Sequence, residues 1–410
     1  MWGGLLAFLV ALVLVVRSFG GLVGSGIGPA APIAGGAATT SAPLIGIVEP
    51  QGAAYGTVRA VGAQLVTVPV GWDLAEPAEG HFDGAYIRSV ARQVAAARAA
   101  GLSVVLDLGI QYAPGWVMHL DASSQFIDQY GDRFGGSRAS GDDVPNGVTD
   151  GDVRTRLERY LGWLAFALDR YHFYAVRVGG GPDGELRYPP ASYDRHTDCF
   201  WAFDPDSQAT YVVRGWRPGR GTTRQAGSFL QTYNANLADY GAWLDGVVHS
   251  DFSGAAELLM LPGWGERPGD TEKAIRAGLR RGSVELNSGT DWKLQLGKVP
   301  YPRSTIAYTT WLDAQSQGDS PQRTDPAEYL ATLVRGTELR LGGEDTGGGG
   351  LADLELSLHR ATIFHFTLLD WLNMPRAGPA GERAGAGPTP LTRALFVAAL
   401  HAYLRQRAVR

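Results

Sequence analysis

Two glutamates in this chain follow glycine-rich breaks at the ends of apolar runs. Glu185 lies in Val178-Gly-Gly-Gly-Pro-Asp-Gly-Glu185-Leu-Arg-Tyr-Pro189, directly after the run Phe173–Val178. Glu344 comes after Gly342 and Gly343, which close the run Thr337–Leu341. Glycine lets a backbone turn tightly and approach a ligand closely. A lone carboxylate in such a loop is usually just solvated, but two of them can flank a bond. One, as the neutral acid, protonates a leaving oxygen. The other, ionised, acts as nucleophile or as base for water, their environments pushing the two pKa values apart. That division of labour is the chemistry of glycoside hydrolysis.

The glutamates form a pair only if the chain brings them together. Strand-like runs occur at Leu44–Val48, Gln64–Val70, Ser103–Leu108, Phe173–Val178, Glu257–Leu261, Ser304–Thr310, Thr337–Leu341 and Ala361–Thr367. Helical periodicity falls between them, at Tyr86–Ala100 (closed by Gly101), Arg154–Tyr171, Phe229–Ser250, Asp270–Arg281, Pro326–Arg335, Ala352–Arg360 and Leu391–Arg407. Eight strands alternating with helices predict an α/β protein, a (β/α)8 TIM barrel in one domain. A doubly wound sheet is the alternative, but no phosphate-binding glycine fingerprint follows the first strand. Strands four and seven stand on opposite sides of a barrel mouth, so Glu185 and Glu344 would face each other. The stretches Asp121–Asp150 and Tyr188–Arg224 are long and polar, as lids or cleft walls are.

Residues at the C-terminal ends of barrel strands share one cleft. Here they are Trp72 after strand two; Asp107, Gln111 and Tyr112 at strand three; and Asp183, Arg187 and Tyr188 around Glu185. Strand five contributes Trp264 and Glu266, strand six Tyr308 and Trp311, and strand eight Trp371. Any one tryptophan or carboxylate there is more often a core residue or a helix cap. Together they describe a polar cleft with flat aromatic faces, which stack on pyranose rings. We take them as candidate binding residues for an oligo- or polysaccharide.

The chain has 410 residues, of which eleven are tryptophan. A net charge of −5 provides no basic footprint for nucleic acid. The single cysteine, Cys199, leaves no internal disulfide and no Cys-based metal cluster. His172, His196, His249, His359 and His365 lack paired ligand spacing, so neither metal nor cofactor is expected, and His365 reads as a barrel histidine on strand eight. The uncharged run Leu5–Val16 marks residues 1–17 as a signal peptide or an N-terminal membrane anchor. Residues 18–42 read as a flexible Gly/Ala/Pro linker and 43–410 as the barrel, an exported, extracellular or cell-surface domain.

The layout from Pro43 onward resembles clan A glycoside hydrolases, which are retaining (β/α)8 enzymes. Val70-Gly-Trp-Asp-Leu-Ala-Glu-Pro-Ala-Glu-Gly-His-Phe-Asp83 resembles the segment after strand two in β-galactosidase-like members, family 42 or family 5-like. The resemblance implies Glu185 as acid/base, Glu344 as nucleophile, Tyr308 as a hydrogen-bond partner of the nucleophile and Trp371 as the floor of the subsite. It departs at Gly184, where the clan usually has Asn. The segment Gly184-Glu-Leu-Arg-Tyr-Pro189 is similar to the strand-four motif of β-amylases, family 14. That likeness implies an inverting α-glucan hydrolase with Glu185 again the general acid; being confined to one motif, it ranks second to the retaining mechanism. A non-catalytic carbohydrate-binding barrel is the reading from another class.

Overall fold

The computed structural model describes residues 42–408 apart from 136–140, 211–214, 281–283, 316–323, 347–349 and 376–390. Eight parallel strands close into one barrel in chain order: β1 (Leu44–Glu49), β2 (Leu65–Pro69), β3 (Ser103–Asp107), β4 (Ala175–Val178), β5 (Ala256–Leu261), β6 (Thr305–Thr309), β7 (Arg340–Asp345) and β8 (Leu368–Asn373). β8 pairs with β1 in register Gly46↔Asp370, and β7 with β8 in register Glu344↔Asp370. Helices pack outside, several started by caps that the sequence displays. The side chain of Asp83 accepts from the amides of Ala85 and Tyr86, Asp150 from those of Asp152 and Val153, and Thr222 forms a capping box with Gln225.

Side chains alternate in and out along each strand. Inward residues of the lower barrel are apolar: Leu65, Val105, Ala175, Leu258, Ile306 and Leu368 pack into one buried cluster. The outward-facing apolar residues join the helices in the main core. The carboxylates and Arg177 occupy the interior toward the C-terminal mouth.

Two strands lie later in the chain than the apolar runs imply. β7 is Arg340–Asp345 rather than Thr337–Leu341, so Glu344 sits on the strand and not after it. β8 is Leu368–Asn373, whereas Ala361–Thr367, expected to be a strand, finishes the helix Leu351–Ile363 and then turns. The β-branched Thr362-Ile363 pair imitates a strand. Leu354, Leu358 and Ala361, buried at helical spacing, decide for the helix. His365, with φ 59°, is in the turn after that helix and is not a barrel histidine.

The two long loops pack on each other as one wall. The Asp206 amide donates to Ser123 Oγ at 3.1 Å, and Gln129 Nε2 to Asp198 O at 2.7 Å. The Tyr130 ring stacks on His196 at 3.6 Å. The signal or anchor at 1–17 and nearly all of the linker at 18–42 lie outside the described residues. No helix among the described residues is long and apolar enough to cross a membrane.

Candidate active site

The upper barrel interior is built by alternation. Arg177 on β4 points inward because its neighbours Val176 and Val178 join the outer core. Its Nη2 donates to Glu344 Oε2 at 2.9 Å, and its Nη1 lies 3.9 Å from Asp107 Oδ2 on β3. Burial opposes the charge on Arg177, but Glu344 and Asp107 outweigh it and the pKa is raised. Tyr308 on β6 completes the cluster, its hydroxyl 3.0 Å from Glu344 Oε2 and 2.6 Å from Asp370 Oδ2 on β8.

Glu185 enters from the loop after β4. The chain leaves the strand through a tight turn at Pro182–Gly184 that only glycine fits at two places. A Cβ at Gly181 would lie 2.3 Å from Arg187 O. Gly184 has φ +75°, and a Cβ there would meet Gln111 Nε2 at 3.2 Å. Gln111 of the β3 loop thus borders the space where the clan's asparagine would project. The turn delivers the Glu185 carboxyl to Thr310, whose Oγ1 donates to Oε1 at 2.7 Å. Arg187 Nε is 2.8 Å from Oε2 as an ion pair, its N–H directed off the oxygen, while Nη2 donates to Asp183 Oδ2 at 2.6 Å.

One strand therefore holds both glutamates. Tyr308 and Thr310 are two residues apart, on the same face and about 6.6 Å apart along the chain at roughly 3.3 Å per residue. Thr310 donates to Glu185, and the Tyr308 hydroxyl stands within hydrogen-bond distance of Glu344. Both carboxyls are largely withdrawn from water, Glu185 at 8% and Glu344 at 7% exposure. Burial raises Glu185 to about 7; Arg187 and Thr310 oppose the shift, and the charges of Asp183 and Glu344 add to it. Burial likewise raises Glu344 to about 7, opposed by Arg177 and Tyr308 and reinforced by Asp370 and Glu49. The surroundings raise both values alike and do not drive them apart as the sequence predicts; a pair that holds one proton between its two members near neutrality still has an acid and a base.

The mouth brings together Asp107, Asp183, Glu185, Arg187, Tyr308 and Glu344 of the expected residues. Gln111 borders Glu185 through Gly184, and half-buried Tyr112 lies within the electrostatic reach of Asp107, Asp142 and Asp183. Trp311, directly after Thr310, is exposed enough to offer a stacking face, and Trp264 is half-buried beneath the Arg267 guanidinium.

Four expectations fail on burial or direction. Trp72 is fully buried, stacked on Tyr160 at 5.1 Å, and donates through Nε1 to Glu76 Oε2 at 3.0 Å. The tryptophan and glutamate of the motif after strand two thus close on each other as structure, not as a sugar platform. Trp371 faces outward against Phe396, because its neighbour Asp370 takes the inward position. Glu266 turns to the helical layer, where Asn234 and Thr271 each donate to it at 2.8 Å. Tyr188 stacks on Tyr233 at 3.9 Å and donates to Tyr233 O at 3.0 Å. Tyr188→Phe should therefore cost about 1 kcal/mol in urea unfolding and leave KM unchanged; a raised KM would return Tyr188 to the cleft.

Arg177, Thr310 and Asp370 are site residues that the sequence reading missed. Arg177 had a usable signal, since an arginine inside an apolar strand is rarely buried without a partner. Asp370 falls at the mouth end of strand eight in sequence as well, where a single carboxylate reads as a helix cap or salt-bridge partner. A cavity of about 370 Å³ lined by Asn234, Thr271 and Asp291 lies in the helical ring, and none of the mouth carboxylates lines it. Among the described residues no group of three or more His, Cys, Asp or Glu could hold a metal ion.

No family model matches the chain, and no curated protein does. Solved structures match its fold. The catalytic domain of β-amylase from Paenibacillus polymyxa superposes with a TM-score of 0.61 at 17% identity, over 81% of this chain and 93% of that one. The β-galactosidase from the psychrophilic Marinomonas ef1 gives 0.56 at 14% identity, over 87% and 58%. The β-galactosidase from the Antarctic haloarchaeon Halorubrum lacusprofundi gives 0.57 at 12%, over 88% and 58%. The likeness at these identities is one of fold, and this chain spans little more than half the length of either β-galactosidase.

Proposed function

We propose that the chain hydrolyses O-glycosidic bonds, with Glu185 as the general acid and Glu344 as its partner carboxylate. The observation that carries this reading is the buried pair, from β4's loop and β7, held together at the end of β6 by Thr310 and Tyr308, each carboxyl with a raised pKa. Glu185 protonates the leaving oxygen. Glu344, ionised and held by Arg177, takes a proton from an attacking water. Inversion on an α-glucan is the favoured mode. It is supported by the Gly184–Pro189 motif and by coverage of 93% of a β-amylase catalytic domain. The second reading is a retaining β-glycosidase, favoured by the Tyr308 hydroxyl beside Glu344, an arrangement suited to a nucleophile. Screening α-glucans against chromogenic β-galactosides, β-glucosides and β-mannosides separates the two. Sugar binding without turnover of any of them would instead establish a carbohydrate-binding barrel.

The pH dependence follows from the roles. Glu344 works ionised, so activity falls as pH drops and it takes up a proton. Glu185 works protonated, so activity falls as pH rises and it loses one. With both raised to about 7, kcat/KM should be bell-shaped and peak near about 7. A profile flat from about pH 5 to about pH 9 would count against the pair.

The run Leu5–Val16 supports export of the barrel to the cell exterior. Fractionating cells that express the full chain tests this, and an exclusively cytoplasmic product would refute it.

A further inference from the structure

We propose that Asp370 is a positioning residue that sets the ionisation of Glu344 by competing with it for the hydroxyl of Tyr308. The inference rests on the reading of Glu344 as a working carboxylate.

The geometry is specific. A phenol hydroxyl carries one hydrogen and can donate to one acceptor at a time. Here two carboxyl oxygens stand within hydrogen-bond distance of it, Asp370 Oδ2 at 2.6 Å and Glu344 Oε2 at 3.0 Å. The shorter contact is the length of an O–H donating to a charged oxygen. The hydroxyl therefore favours Asp370, and Glu344 keeps Arg177 as its strong donor. With Tyr308 turned to Asp370, its oxygen faces Glu344 as an acceptor, which favours a proton on Glu344. Both carboxyls cannot be ionised and both be satisfied by a single hydroxyl hydrogen.

The barrel makes room for this arrangement. Asp370 is almost wholly buried and lies opposite Gly46 of β1 and Glu344 of β7 in register. A Cβ at Gly46 would stand 1.8 Å from Asp370 Oδ1, so the carboxyl occupies space that only glycine leaves free. The charged and titratable groups facing the pair are Arg177 of β4, Tyr308 of β6, Glu49 of β1, and Tyr174 at the foot of β4; Arg177 alone is cationic. Removing the Asp370 charge thus frees the hydroxyl for Glu344 and removes a like charge, and both effects make Glu344 more acidic.

The test uses Asp370→Asn in the full chain. The amide has nearly the same shape and can still pair with the tyrosine oxygen. The acidic limb of kcat/KM should move down by about one pH unit, while the alkaline limb, governed by Glu185, stays in place. Well below the wild-type limb, activity relative to its own maximum should rise about tenfold. Lower activity with both limbs unmoved would overturn the proposal. Infrared spectra of wild type and variant give a readout without substrate. Followed against pH, the protonated-carboxyl band of Glu344 should titrate about one pH unit lower in the variant than in the wild type, and an unmoved Glu344 band would also overturn it. If the wild type hydrolyses nothing, the functional reading fails and the infrared result alone decides the role of Asp370. If D370N does not fold, Gly46→Ala displaces the same carboxyl and should shift the same limb in the same direction.

Discussion

Glu185→Gln is expected to lower kcat by about 10²–10⁴-fold on an unactivated glycoside, the usual contribution of a positioned general acid. Glutamine keeps the shape and can still accept from Thr310 Oγ1, so the carboxyl's place in the turn is preserved while its proton is lost. The loss should depend on the leaving group. A glycoside of a good leaving group, which needs little protonation, should lose much less. The alkaline limb of the pH profile should vanish with the group that makes it. Steady-state kinetics on a paired series of activated and unactivated substrates reads all three. An equal loss on every substrate would mean that Glu185 acts by binding and not by proton donation.

Glu344→Ala is expected to be at least as damaging, because it removes the group that activates water or attacks the sugar. A loss of about 10²–10⁴-fold or more in kcat follows from the base role. It has a second consequence. Arg177 is buried and pairs closely with Glu344, with Asp107 further off at 3.9 Å. Removing one partner of a buried pair typically costs about 3–5 kcal/mol, so the variant should also unfold at markedly lower urea. Glu344→Gln separates the effects, since its amide oxygen can still accept from Arg177. It should recover much of the stability and none of the activity. Recovery of activity with glutamine would remove Glu344 from the chemistry. A 2-fluoro glycoside then distinguishes the modes, because a nucleophile gives a trapped adduct on Glu344, visible as added mass, and a base gives none.

The glycine-rich turn explains why Glu185 was legible. Close approach of Arg187 O at Gly181 and the left-handed φ of Gly184 exclude side chains, so the glycines are read directly as a tight approach, and the carboxylate after them is placed by counting strands. Glu344 lies on β7 and not after it, yet it still reaches the mouth because β7 runs on through Gly342 and Gly343 to Asp345. The aromatic residues fared worse. Whether a tryptophan lines a cleft depends on which side of a strand it takes, and an error in strand placement hides that. Trp371 and Asp370 exchanged roles for this reason. Trp72 was lost for another: its indole N–H is satisfied four residues away by Glu76, a local bond that resembles a ligand motif in sequence. Arg177, isolated in an apolar strand, carries a plain sequence signal for an acidic partner, which the structure shows to be Glu344.

The most direct test of the account is proton NMR of the first sugar released by the purified wild-type chain from an α-1,4-linked glucan oligosaccharide, run beside Glu185→Gln. Inversion by the Glu185–Glu344 pair predicts that the β-anomer appears first and then mutarotates, with release reduced by orders of magnitude in the variant. Undiminished release by Glu185→Gln would contradict the account, as would the absence of cleavage by the wild type on this and every β-glycoside offered.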